Sequence, residues 1–385
     1  MIIYNTSAPQ ENVINNRTTA EITTTTKQNQ KGVSSLSSSS LTKKIYNNSK
    51  NLSNLNVLPS ESYLHIEGSL TKSTGEKSDK IKFVNNGVCH LFEEIRYLLN
   101  GIEIDSTKKL GHTATLKNYI SLSNNKNDML KNAGWSPSET FITPTGFFDF
   151  CIPLKFLLGF AEDYKKILVN CKHELVLVRS RTDENVYLVT DETEKPLINI
   201  FKITWIVPHI ITSDENKLPL LKIVDNARPL SISFRSWEIY EYPKLAETTH
   251  HIWSVKTSSQ LEKPRYIVFV HLNAETYPYE NLNISFDKDK YSILYHMYAN
   301  FQTSYYQAIE NSPVISRDHF KSKIGPIVVV DCTHQNESLK SGAVDVRLEF
   351  KTSINVPAST SAYCLLIHDR VVQYNPLTSE VRKIN

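Results

Sequence analysis

Val344-Asp345-Val346-Arg347-Leu348-Glu349-Phe350 places an apolar side chain at every even position and a charged one at every odd position. Successive side chains of a strand point to opposite faces, so this segment reads as a strand with one face packed and the other wet. Tyr266-Ile267-Val268-Phe269-Val270, upstream of it, is apolar throughout and fits a strand covered on both faces. Pro264 stands at its entrance, where a missing N–H does little harm. Ile95-Arg96-Tyr97-Leu98-Leu99-Asn100-Gly101-Ile102-Glu103-Ile104-Asp105 carries its own punctuation: Asn-Gly takes the φ > 0 pair of a type I′ turn, so two antiparallel strands meet there.

Short apolar or alternating runs bounded by turn residues predict further strands at 63–70, 147–152, 167–169, 174–178, 198–207, 232–240, 283–286, 327–330, 363–368 and 371–374. Helical spacing is confined to 113–122, to 153–160 with Pro153 at a first-turn position, and to 291–306. A parallel α/β enzyme would alternate strand and helix throughout, so this balance excludes it. The expectation is an all-β chain with short helical insertions.

Residues 1–58 are Asn, Ser, Thr and Gln with scattered aliphatics and bury too little apolar surface to offset their ordering entropy, which predicts a flexible polar N-terminal arm. Arg17, Lys27, Lys31, Lys43, Lys44 and Lys50 face only Glu11 and Glu21 there. These six cations are the candidate contacts to nucleic acid or to a neighbouring subunit, with a solvated tail as the competing reading. Beyond the arm, 327 of the 385 residues remain, enough for two eight-stranded antiparallel sandwiches. The polar stretch Thr212-Ser213-Asp214-Glu215-Asn216-Lys217-Leu218-Pro219 puts the division at 59–210 and 211–385.

Composition narrows the function. Net charge is +3 from 43 Lys plus Arg against 40 Asp plus Glu, too little to coat nucleic acid by charge alone. With 11 glycines and no GxGxxG or complete P-loop, phosphate cradles are not expected. Cys89, Cys151, Cys171, Cys332 and Cys364 form no CxxC and sit among apolar neighbours, as reduced structural thiols do. The 12 histidines include no His-x-His pair; His250 and His251 are adjacent, and His271, His296, His334 and His368 stand alone. GxSxG is absent, and Asp331-Cys332-Thr333-His334 holds residue types without a required geometry. No catalytic residue, metal or cofactor is expected. Nor does Met1-Ile2-Ile3-Tyr4-Asn5 open a signal peptide, and no apolar run nears the roughly 18 residues of a membrane helix.

Tyrosines concentrate in Tyr277-Pro278-Tyr279-Glu280-Asn281-Leu282-Asn283 and at Tyr298, Tyr305 and Tyr306. Such rings bury large area while keeping a polar handle, which suits subunit interfaces; packing within the chain is the competing reading.

The blocks Ile95–Asp105, Tyr277–Asn283 and Asn336–Phe350, with Ile232-Ser233-Phe234-Arg235-Ser236-Trp237-Glu238, Met297-Tyr298-Ala299-Asn300-Phe301-Gln302 and Tyr363-Cys364-Leu365-Leu366-Ile367-His368-Asp369-Arg370, resemble the double jelly-roll-like proteins of insect and other invertebrate genomes. That family resembles the major capsid proteins of double-jelly-roll DNA viruses and of Polinton or adintovirus-like elements. The resemblance implies a double jelly roll, two sandwiches side by side, and a non-enzymatic shell subunit assembled inside a host cell into a virion. It implies a homotrimer with six lobes, contacts with neighbouring capsomers and minor or penton capsid proteins, weak non-specific contact with packaged DNA, and no small-molecule substrate. The long arm and Phe269-Val270-His271, where the pattern has a glycine and a glutamine, depart from it. Two other readings compete: a domesticated, capsid-derived host protein acting as an interaction module without a virion, and a carbohydrate-binding sandwich. Gene neighbourhood separates the first and a glycan array the second.

Overall fold

The computed structural model describes residues 17–20, 42–46, 56–136, 145–191, 193–210, 229–256, 264–272, 284–307, 313–321, 327–334, 346–352 and 354–384. In the first half run β1 (Arg17–Ala20), β2 (Thr42–Tyr46), β3 (Asn56–Val57), β4 (Tyr63–Lys72), β5 (Ile81–Phe83), β6 (Phe92–Leu99), β7 (Ile102–Lys108), β8 (Phe147–Pro153), β9 (His173–Arg179), β10 (Tyr187–Val189) and β11 (Pro196–Ile210). The second half carries β12 (Leu230–Tyr242), β13 (His250–Lys256), β14 (Pro264–Leu272), β15 (Ile327–Asp331), β16 (Val346–Lys351), β17 (Ser361–Asn375) and β18 (Glu380–Ile384). Helices α1 (Leu110–Ser121), α2 (Asn124–Leu130), α3 (Gly159–Asp163) and α4 (Ser292–Tyr306) are inserted between them.

Every described pairing is antiparallel. One first-half sheet runs β1-β11-β4-β8 with β3 beside β11, the other β2-β9-β6-β7, and β5 pairs with β10. They close on a shared core in which Tyr97 of β6 meets Trp205 of β11, ring centroids 5.8 Å apart and nearly perpendicular. In the second half β12-β17-β14-β15, with β18 on β17, faces the pair β13-β16. There Phe269 of β14 receives Trp253 of β13 at 6.3 Å and Phe350 of β16 at 5.0 Å. The all-β double jelly roll expected from the alternating patterns is therefore what the strands build.

Local outcomes follow the residues. Asn100 and Gly101 take φ of 49° and 81° at the β6–β7 turn, as Asn-Gly predicts. In β16, Val346 and Phe350 are buried and Arg347 and Glu349 exposed; Val344 and Asp345 lie outside the described residues. Two strands expected at 363–368 and 371–374 are instead one, β17, because it pairs with β12 from Tyr242↔Ala362 to Leu230↔Tyr374 without a break. The polar Asp369-Arg370 inside it is no turn, since Arg370 reaches the Ile104 carbonyl at 3.4 Å on the other roll. The helix expected over 153–160 is a 3-10 turn, Leu154–Phe156, followed by α3; Pro153 closes β8 with φ −61° and ψ 132° instead of opening a helix. The expected strand at 167–169 is a single bridge, Val57↔Leu168, and that at 283–286 the bridge Ser285↔Lys290. β13 was not anticipated. Three pieces of the polar arm are strands, β1 and β3 on β11 and β2 on β9, where an edge asks mainly for backbone partners. The stretch at 211–228 lies outside the described residues.

Burial sets an acid limit on this fold. His90 and His173 are pushed down to about 3 and His271 to about 4, first by loss of water and then by His112, His209 and His251 respectively. Their unfolded value is 6.5, so the unfolded chain binds more protons between about pH 4 and 6.5. Stability therefore rises with pH through that window and is fully present above it. Three such groups give a slope of at most about 4 kcal/mol per pH unit. Urea midpoints are expected to fall as pH drops from about 7 to about 5, less steeply in His271→Leu; a flat profile would show that these imidazoles are not held neutral.

Candidate functional site

The two rolls meet along a seam built from charges that neither roll could bury alone. Lys117 of α1 has a side chain only 2% exposed, and a buried ammonium needs partners. Its Nζ lies 3.0 and 3.1 Å from the carboxylate oxygens of Glu162 on α3 and donates to the Tyr306 hydroxyl at 3.2 Å. It also stands 4.5 Å from the Trp237 ring centroid and 4.6 Å from that of Tyr305. Burial lowers the Lys117 pKa, and the Glu162 charge works against that. Tyr305 donates to Glu162 at 2.7 Å, and Tyr306 donates to the same carboxylate.

One residue along α3, Asp163 grips Arg235 of β12 from three directions: backbone N–H at 2.8 Å, Nε at 2.8 Å and Nη2 at 2.5 Å. The guanidinium lies 3.5 Å from the Tyr305 ring centroid, and its Nη1 donates to the Tyr305 carbonyl at 2.7 Å. So close an approach of α3 to β12 requires Gly159, where a Cβ would fall 1.7 Å from the Arg235 carbonyl oxygen. Deeper in, Asp105 of β7 accepts from the hydroxyl of Ser236 at 2.7 Å and the N–H groups of Phe160 at 2.9 Å and Ser106 at 3.0 Å. Burial raises the Asp105 pKa, with Arg370 at 3.8 Å pulling it back. A second clasp lies along the seam. Asn100 and Asn170 donate to the carbonyls of Ser379 and Pro376 at 2.8 and 2.7 Å, and the Tyr374 hydroxyl donates to the Val169 carbonyl at 2.7 Å.

This arrangement decides where the tyrosines lie. Tyr298 is fully buried, donating to the Tyr119 carbonyl at 2.9 Å and accepting from the Ile315 N–H at 3.1 Å. Tyr305 is buried as well, while Tyr306 keeps 38% of its surface exposed. All three join the halves of one chain, which is the intrachain reading of these rings. Tyr277 and Tyr279 lie outside the described residues. Arg17 falls on β1 and Lys43 and Lys44 on β2, while Lys27, Lys31 and Lys50 lie outside. Lys117, Glu162, Asp163, Asp105 and Arg235 went unremarked in the sequence because their partners stand tens of residues away, 45 for Lys117 and Glu162 and 72 for Asp163 and Arg235.

Groups with a nucleophilic look are structural. Cys171 Sγ is 3.2 Å from His173 Nε2, but burial pushes the thiol up to about 12 and the imidazole down to about 3, so the pair is neutral. A thiolate nucleophile needs the opposite shifts. In Asp331-Cys332-Thr333-His334 the aspartate accepts from the Thr333 N–H at 2.9 Å and hydroxyl at 2.6 Å, closing a turn instead of activating the thiol. All five cysteines are free thiols. No helix among the described residues is long and apolar enough to cross a membrane.

The family model for a double jelly roll-like domain matches residues 81–270 and 268–372; the first match runs past the expected division at 210 into β14. No curated protein matches the chain in sequence. Among solved structures, the mavirus major capsid protein superposes with a TM-score of 0.50 at 10% identity, covering 99% of this chain and 92% of that one. A chain of the Sputnik virophage gives 0.52 at 8% identity, with 100% and 91% covered. The Faustovirus major capsid protein gives 0.51 at 8% identity, with 100% and 93% covered. The shared property is the fold.

The seam makes a prediction about stability. Asp163→Asn leaves the Arg235 guanidinium under-compensated and is expected to cost about 3–5 kcal/mol in urea unfolding. Lys117→Met and Glu162→Gln are each expected to destabilise similarly. Their double variant should lose clearly less than the sum, because neither charge is then stranded. Strict additivity would show that the pair does not interact.

Proposed function

The chain belongs to the double jelly roll-like domain family, and on that premise we propose that it is a structural major capsid protein whose trimers tile an icosahedral shell. The observation that carries this reading is the seam. Two sandwiches locked side by side in one chain give a subunit with two lobes, and three copies give the six lobes of a pseudo-hexagonal tile. Such a subunit resides in the virion of a DNA virus or virus-like element. It contacts neighbouring capsomers and minor or penton proteins, and touches packaged DNA weakly through the basic arm.

Exposed aromatic surface supports the assembly reading. Phe147 of β8 and Phe201 of β11 are 62% and 58% exposed, their ring centroids 6.0 Å apart on the same sheet. Adjoining exposed rings on a soluble body mark a contact surface. An obligate tile of this kind buries above about 2,000 Å² per interface.

Light scattering on the purified full-length protein is expected to give the mass of three chains, and electron microscopy hexagonal tiles or shells. A monodisperse monomer at every salt concentration would overturn the proposal. Replacing both Phe147 and Phe201 with serine should leave melting behaviour nearly unchanged, since both rings are solvent-facing, yet shift the distribution toward monomer. Unchanged trimers and shells in that variant would place the contacts elsewhere.

A further inference from the structure

On the paired strands β4 and β8, two residues on each strand point away from the sandwich core. His65 stands opposite Cys151, and Glu67 opposite Asp149. The intervening Ile66 and Phe150 and the flanking Leu64 and Ile152 are buried. Directly opposed side chains on one face of an antiparallel pair have Cβ atoms about 5 Å apart, so this grid brings its polar ends together. One nitrogen of His65, one carboxylate oxygen of Asp149 and the sulfur of Cys151 lie within 4.8 Å of one another.

We propose that His65, Asp149 and Cys151 bind one divalent transition-metal ion of zinc's class, with Glu67 orienting the histidine. The geometry of the ring assigns the roles. His65 Nδ1 faces Glu67 Oε1 at 3.5 Å, while Nε2 faces Asp149 Oδ1 at 2.5 Å. A carboxylate only accepts, so Nε2–H donates to Asp149 while no ion is bound; on metal binding that proton passes to Nδ1, where Glu67 holds it, the usual outer-shell arrangement of a ligating histidine. Tetrahedral bonds of about 2.0–2.3 Å from zinc to nitrogen, oxygen and sulfur require Cys151 Sγ to draw in while His65 Nε2 and Asp149 Oδ1 open from their 2.5 Å contact to admit the ion. Asp149, with 70% of its side chain exposed, has the freedom to swing.

The donor set selects the ion. Imidazole and thiolate together disfavour calcium and magnesium, which take oxygen ligands, and three protein ligands with one open position suit zinc with a bound water. On binding, the Cys151 thiol gives its proton to solvent and its sulfur lone pair to the metal. A cavity of about 430 Å³ borders the cluster at Cys151 and is also lined by Tyr63, Asn132 and Lys155. β8 is the last strand of its sheet, so the ion ties an edge strand to its inner neighbour. No short-range pattern such as His-x-His marks this cluster, because His65 and Asp149 are 84 residues apart.

Full-length protein without a histidine tag, stripped by a chelator and dialysed against zinc, is expected to retain one ion per chain. Cobalt(II) in its place should give a thiolate-to-metal charge-transfer absorption. His65→Ala and Cys151→Ser should each weaken zinc binding by at least the ~10-fold to 100-fold that even an outer-shell change costs, and Glu67→Gln by an amount within that range. Zinc should also slow alkylation of Cys151, while calcium and magnesium should not. Circular dichroism of the metal-free variants checks folding, and Asp149→Asn, at an exposed position, supplies a second variant. Folded wild type that retains no zinc, or zinc affinity unchanged in Cys151→Ser or His65→Ala, would overturn the proposal. These readouts need no trimer or shell, so they stand apart from the capsid reading.

Discussion

A lysine ammonium cannot lie inside a protein without an anion and polar partners, and that constraint organises the middle of this molecule. Lys117 is satisfied only where α1 of the first roll meets α3, the rings of α4 and Trp237 of β12. Glu162 is fixed by the same requirement, and Asp163 beside it captures Arg235. Pulling the rolls apart would part Asp163 from Arg235 and Asp105 from Arg370, and would strip Lys117 and Glu162 of the Trp237, Tyr305 and Tyr306 side chains that cover them. The seam is thereby selective: it tolerates one docking of the rolls and opposes others.

Apolar packing and this polar seam divide the labour. Within each sandwich, non-directional burial of Trp205, Tyr97, Phe269 and Phe350 supplies the bulk of the stabilisation. Hydrogen bonds with defined geometry between the sandwiches then set their relative placement. A lobe that shifted against its sister would have no fixed edge to offer a neighbouring subunit. Conversely, the tyrosines of α4, whose amphipathic rings suit an interface, serve an interface inside the chain. Phe147 and Phe201, by contrast, remain exposed.

Much of the fold was legible because strand structure is local. Period-two alternation marks β16, and Asn100-Gly101 marks the β6–β7 turn, with only a few residues consulted each time. Legibility failed where a distant partner overruled a local signal. Asp369-Arg370 reads as a break, yet thirteen unbroken pairs with β12 carry β17 through it. Pro153 reads as a helix start, yet its fixed φ serves equally well to end β8. The seam and the His65 cluster were invisible for the same reason, since a charged residue on a short helix or strand looks like part of a solvated face until the fold shows what stands beside it.

Local chain chemistry by itself determined the all-β class, the two-sandwich size, the absence of glycine-rich phosphate loops and the places where strands reverse. These depend on side-chain period and backbone propensity, which act over a handful of residues. Tertiary structure alone decided which charges are buried, that Tyr298 and Tyr305 face their own chain, and that His65, Asp149 and Cys151 share one face. Those outcomes depend on pairing between segments tens to hundreds of residues apart, and the free energy of a buried charge is set by its neighbours in space.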